Sequence, residues 1–272
     1  MNARTTLLAA GGIARPGDVA VTPGMSNLPR PPAAMFVGRD AALRRLEQAL
    51  AGRASAVVHG LGGVGKSELA LHYAHACHDQ YELMWWITAD DACQIEVGPA
   101  SLAARICPEI AVAATTCDAA GWAICWLQTH TSWLLVLDNA KNAEHIQPLL
   151  GQLHGGHIVL TTRRDLGWHR LATPIPLDVL APVPAVELIT AATGRTGPAD
   201  QATGAAIAAE LGYLPLALDQ AAAYISQTRI TLDSYLTRLR QYPARMHAAS
   251  AEGGDAQRTV SRLWDMTLAA ID

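Results

Sequence analysis

Lys66, Ser67 and Asp138 are of the residue types that handle a chain of phosphates, and the residues around them give that chemistry a setting. Lys66 and Ser67 close the run Gly60-Leu61-Gly62-Gly63-Val64-Gly65-Lys66-Ser67: a glycine, four residues, a second glycine, then lysine and a hydroxyl. Gly60, Gly62, Gly63 and Gly65 let the backbone turn tightly and approach an anion with no Cβ in the way. Successive N–H groups, that of Val64 among them, then line a concave nest for anionic oxygens. The helix opening near Gly65 adds the positive end of its dipole. In such a loop Lys66 reaches the β- and γ-phosphates and the Ser67 hydroxyl ligates Mg²⁺.

Asp138 ends the apolar run Trp133-Leu134-Leu135-Val136-Leu137. Downstream of a phosphate loop, an acid at a strand end holds the Mg²⁺ shell; without the loop it reads as an ordinary turn aspartate. Thr161-Thr162-Arg163-Arg164 ends the following strand. An arginine there is placed to touch a γ-phosphate, and the plain alternative is a solvated basic turn.

The elements that must position these residues are legible in the pattern. Ala56-Val57-Val58-His59 reads as a short buried strand entering the loop, and Leu69, Ala70, Tyr73, Ala74 and Cys77 recur at helical spacing after it. Further strands are expected at 83–88, 133–137, 157–161 and, weakly, 175–177, with helices near 40–51, 98–107, 119–129 and 142–150. The unbroken apolar run 133–137 suits a parallel strand covered on both faces. Strands alternating with helices predict an α/β fold with a doubly wound parallel sheet. Beyond about 178 only helical patterns remain, near 183–193, 200–211, 214–226 and 232–239, so a small helical domain is expected to follow. Residues 1–33, rich in Gly, Pro and small residues, read as linker or disordered chain.

Composition narrows the function classes. Half of the 272 residues are hydrophobic, enough for a substantial core, and the net charge of −4 supplies no general attraction for polyanions. Cys77, Cys93, Cys107, Cys117 and Cys125 form no C-x-x-C pair and read as reduced thiols. Residues 5–10 are too short an apolar stretch to span a membrane, and no signal-peptide cleavage region follows. A cytoplasmic location is the expectation. His72, His75, Cys77 and His78 crowd one helix but lack the four well-spaced ligands of structural zinc. G-x-S-x-G and H-E-x-x-H are both absent.

Five motifs stand in order: Phe36-Val37-Gly38-Arg39-Asp40, the phosphate loop, Leu134-Leu135-Val136-Leu137-Asp138-Asn139, Leu160-Thr161-Thr162-Arg163, and Gly212-Tyr213-Leu214-Pro215-Leu216-Ala217-Leu218. Together they resemble the NB-ARC module of STAND signalling ATPases over residues 34–240. The resemblance implies a P-loop NTPase domain over 34–178, a helical domain over 179–251, and the opening of a truncated winged helix over 252–272. It implies that Val37 and Arg39 border the adenine, that Lys66 and Ser67 contact phosphate and Mg²⁺, and that Asp138 is the Mg²⁺-side acid. Arg163 is then the sensor of the γ-phosphate, and Pro215 packs over the base, clamping the helical domain onto the nucleotide. Lys66, Asp138, Asn139 and Arg163 are the residues expected to carry any hydrolysis.

One departure bears on rate. Many members of the family carry a second acid directly after the Mg²⁺ aspartate, where this chain has Asn139. An amide positions water but takes no proton, so slow hydrolysis is expected, and the sequence alone predicts that Asn139→Asp raises it. The implied activity is an ATP/ADP switch with Mg²⁺, bound between the two domains: closed and monomeric with ADP, self-associating with ATP. Sensor and effector domains are expected on the rest of a longer chain, with no membrane partner and no nucleic-acid partner indicated. The rival readings are an efficient stand-alone ATPase and a DNA-binding regulator.

Overall fold

The structure, a computed structural model, describes residues 13–52, 54–164 and 167–241. The winged-helix opening assigned to 252–272 lies outside the described residues. The chain divides into two compact units. One draws on Met1–Pro32, Leu43–His59 and Ser67–Pro176, the other on Ala33–Ala42, Gly60–Lys66 and Leu177–Asp272.

The first unit is built on a sheet of β1 (Met25–Ser26), β2 (Ser55–His59), β3 (Leu83–Thr88), β4 (Trp133–Asp138), β5 (His157–Thr162) and β6 (Thr173–Pro176). Their order is β1-β3-β4-β5-β2-β6, and every pairing is parallel. Central β4 is buried at each of its five apolar positions and emerges only at Asp138, as the uninterrupted run predicts for a strand covered on both faces. In this order β5 lies between the strand that enters the glycine loop and the strand that ends in Asp138. The carboxyl ends of β3, β4 and β5 therefore share one edge, the edge where open α/β sheets gather ligands.

Helices α1 (Asp40–Gly52), α2 (Lys66–Ala76), α3 (Ala92–Ile106), α4 (Ile110–Ala113), α5 (Thr116–Thr129) and α6 (Ala143–Leu150) fall among these strands. Helix α3 begins six residues before the expected 98, because the Asp91 carboxylate caps it by accepting the Gln94 N–H. It also runs through Gly98-Pro99, a pair that looks like a break. Gly98 fits because the helix passes so close to Ile87 that a Cβ would lie 2.5 Å from that side chain. Helices α3 and α5 pack on each other, with Trp122, Trp126 and Leu102 in the core.

Residues 13–32 correct the expectation of a free linker. They carry β1, which pairs with β3, and Val21 is buried in the core. The Trp122 indole N–H donates to the Ala14 carbonyl at 2.9 Å, and that of Trp126 to the Val19 carbonyl at 2.8 Å. Asn27 bonds the Trp86 backbone at both its N–H and its carbonyl. Glycine and proline content reads as linker, but a buried indole N–H needs a partner, and this segment supplies two.

The second unit holds α7 (Pro182–Thr193), α8 (Pro198–Glu210), α9 (Pro215–Thr228) and α10 (Leu232–Gln241). Helix α7 packs on both α8 and α9, and α10 on α8. Leu218, Ala221, Ala222 and Ile225 of α9 are all buried, the stripe its sequence spacing marks. Three of the four helices have proline in the first turn, where a missing N–H costs nothing.

Candidate functional site

Within the sheet unit, the polar residues at the ends of β4 and β5 and the first turn of α2 form one hydrogen-bonded set. The Ser67 hydroxyl donates to Asp138 Oδ1 at 2.6 Å, and the Thr161 hydroxyl donates to the same oxygen at 2.5 Å. Thr161 is 1% exposed, so its hydroxyl sits in surroundings of low polarity, where a bond to a carboxylate is strong. Its oxygen also accepts the Asn139 N–H at 2.8 Å. Asn139 stands at φ +61, a left-handed conformation that asparagine tolerates better than most residues. Its side-chain amide donates to Asp90 Oδ1, just past the end of β3, at 2.5 Å.

Ser67 Oγ and Asp138 Oδ1 fit Mg²⁺ in type and number. The ion takes hard oxygen donors and is bound through one or two protein groups, leaving its other positions to phosphate and water.

Within the helical unit, the glycine loop is held from three sides. Lys66 is 8% exposed, and its ammonium donates to the Gly60 carbonyl at 2.9 Å and the Leu61 carbonyl at 2.7 Å. These bonds fix the charge over the loop that its own backbone forms. The Arg39 guanidinium, also buried, donates to the Val64 carbonyl at 2.8 Å. Burial lowers the Arg39 pKa, and the Asp178 carboxylate opposes that shift. At the start of α9, the Leu216 N–H donates to the Gly63 carbonyl at 3.2 Å. That N–H is one of the orphan donors of a helix N-terminus. Gly63 has φ +80, a conformation that favours glycine, and a Cβ on it would lie 3.1 Å from Leu216 Cβ, closer than ordinary contact.

The residues expected from sequence fall as follows. Ser67, Asp138 and Asn139 come together at the ends of β4 and β5. Gly60, Gly62, Gly63, Val64, Gly65 and Lys66 form the loop, with Arg39 bonded to it and Pro215 half-buried one residue before Leu216. Val37 is half-buried in the segment that leads to Arg39. Arg163 is exposed immediately after β5, while the adjacent Arg164 N–H donates to Thr162 Oγ1 at 3.1 Å. Sequence reasoning missed Thr161 as the partner of Asp138, and missed Asp90 entirely. The signal for both was present: each follows an apolar strand run in a parallel sheet. Among the described residues, no helix is long and apolar enough to cross a membrane.

No family model matches the chain. A nucleotide-binding leucine-rich repeat-like protein of Hyaloscypha variabilis is 26% identical over 239 residues, covering 74% of this chain and 23% of that protein. The regulatory protein AfsR of Streptomyces griseus is 30% identical over 206 residues, covering 71% of this chain and 21% of its own length. The chain thus spans less than a quarter of these curated relatives. Among solved structures, a Walker-type ATPase of Pyrococcus abyssi superposes with a TM-score of 0.53 at 13% identity, covering 78% of this chain and 75% of that one. That likeness carries the fold alone: a P-loop NTPase α/β sheet. The five ordered motifs in this chain, taken with these relatives, support an NB-ARC/STAND P-loop module.

Proposed function

We propose that this chain is the nucleotide switch of a STAND regulator. It binds ATP or ADP with Mg²⁺ on the Gly60–Lys66 loop, hydrolyses ATP slowly, and self-associates in the ATP state. The observation that carries the reading is the pair Ser67 Oγ and Asp138 Oδ1 at 2.6 Å, an oxygen pair whose serine directly follows the phosphate lysine. Mg²⁺ held there would neutralise charge on the β- and γ-phosphates. Lys66 binds the same phosphates, exchanging its two loop carbonyls for phosphate oxygens, a stronger charge-assisted partner. Arg39 keeps the loop in shape through Val64. Pro215 offers the base a rigid apolar face, and the Leu216 bond to Gly63 links that face to the loop.

Switching is a population shift, so ATP and ADP must differ in their affinity for the two states. The regulatory name of the Streptomyces relative supports a signalling output over housekeeping turnover. Slow hydrolysis follows from Asn139, whose amide orients water without taking its proton.

Isothermal titration with ADP and ATP, with and without Mg²⁺, tests the reading. Lys66→Ala is expected to weaken binding strongly, and Asp138→Ala to remove the Mg²⁺ dependence. Equal affinity in wild type and Lys66→Ala would overturn it.

A further inference from the structure

Asp90 lies outside the five ordered motifs, yet it holds a residue inside one of them. It lies half-buried two residues beyond Thr88, which pairs in register with Asp138, and the Ala89 N–H donates to the Asp138 carbonyl at 2.7 Å. The chain after β3 is therefore fixed alongside the end of β4. Asp90 Oδ1 accepts the Asn139 side-chain amide at 2.5 Å. An ionised carboxylate only accepts hydrogen bonds, so only the NH₂ end of the amide can face it. Asp90 thereby decides which way round Asn139 stands and turns Oδ1 away from itself. The Asn139 backbone is pinned separately, through its N–H to Thr161. Main chain and side chain are each locked by a different strand end.

We propose that Asp90 is a positioning residue for ATP hydrolysis, acting through Asn139: it orients the amide so that Oδ1 accepts a hydrogen bond from the attacking water. The proposal rests on the hydrolytic part of the function proposed above. The water oxygen bonds to the γ-phosphorus, the bond to the β–γ bridging oxygen breaks, and its electron pair leaves on ADP. The amide takes no proton, so the proton of the water passes to an oxygen of the transferred phosphoryl group.

This arrangement reverses what the sequence alone predicts for Asn139→Asp. That substitution sets two carboxylates at the spacing of a short hydrogen bond, with no donor between them, and like charges repel. The acid at 139 becomes useful only when 90 donates to it. The swapped pair Asp90→Asn with Asn139→Asp restores the bond with its polarity reversed.

The test is ATP turnover by the full chain, with nucleotide affinity and thermal melting measured on every variant. Asp90→Ala is expected to lower kcat about tenfold, the scale of one oriented hydrogen bond, with affinity unchanged within about twofold. Asp90→Ala is expected to add nothing in an Asn139→Ala background. Asn139→Asp alone is expected to turn over no faster than wild type, and the swapped pair to recover wild-type turnover or exceed it. Three results would overturn the proposal: an unchanged kcat in Asp90→Ala, multiplying effects of Asp90→Ala and Asn139→Ala, or affinity falling in step with kcat. A swapped pair that folds and binds nucleotide but stays as slow as Asn139→Asp would also overturn it. Absence of any Lys66-dependent turnover in wild type is a separate result: it removes hydrolysis itself, and this proposal with it.

Discussion

Thr161 offers a direct measure of how the end of the sheet is held. Its hydroxyl donates to Asp138 at 2.5 Å and accepts the Asn139 N–H at 2.8 Å, from a position 1% exposed. Thr161→Val keeps the shape and removes both bonds. A hydrogen bond to a charged group contributes about 1.5–3 kcal/mol, and an orphaned buried N–H costs about 1–3 kcal/mol. Asp138 keeps the Ser67 hydroxyl and is half-buried, so water replaces part of what it loses. A net loss of about 3 kcal/mol is the expectation, near the sum of the low ends of those ranges. For a domain of this size each kcal/mol moves the melting point by about 2–4 °C, which gives about 6–12 °C. Differential scanning calorimetry reads this directly. Thr161→Ser keeps the hydroxyl and should recover most of the loss. If Thr161→Val melts within about 2 °C of wild type, or if the Ser and Val variants fall equally, the hydroxyl does not hold this site.

Two further outcomes follow from the geometry. Gly60 has φ +152, and a Cβ on it would fall on the Leu177 carbonyl oxygen. Gly60→Ala should cost roughly 2–6 kcal/mol from backbone strain and overpacking together. Gly24→Ala, at φ +81 with open space around its Cβ position, isolates the strain alone, and equal losses in urea unfolding would refute the steric argument. His157 Nδ1 lies 2.7 Å from the Tyr81 hydroxyl, and burial lowers its pKa below the ordinary 6.5. The folded state disfavours the protonated ring, so this stability is complete above about pH 6.5 and is lost as pH falls. His157→Asn should flatten the melting profile between about pH 5 and 7, and an unchanged slope would show that other groups set it.

What sequence revealed and what it hid divide along a physical line. The glycine loop, the run 133–138 and the stripe of α9 were legible because each is a local pattern: fixed spacing, unbroken apolarity, or helical period. Asp90, Thr161 and residues 13–32 act through partners far along the chain. The Asn139–Asp90 bond spans 49 residues, the Thr161–Asp138 bond 23, and the Trp122–Ala14 bond 108. Such bonds depend on strand order and register, and no window of sequence contains either. Yet the order constrains them once it is known. With β3, β4 and β5 adjacent and parallel, the first polar residues after three apolar runs must gather on one edge. Those residues are Thr88 to Asp90, Asp138 to Asn139, and Thr161 to Thr162. The five ordered motifs mark the second and third sets and leave the first unmarked. The carboxylate that orients residue 139 is therefore to be sought not along β4 but at the end of the neighbouring strand. There Asp90 stands, joined to the side-chain amide of Asn139.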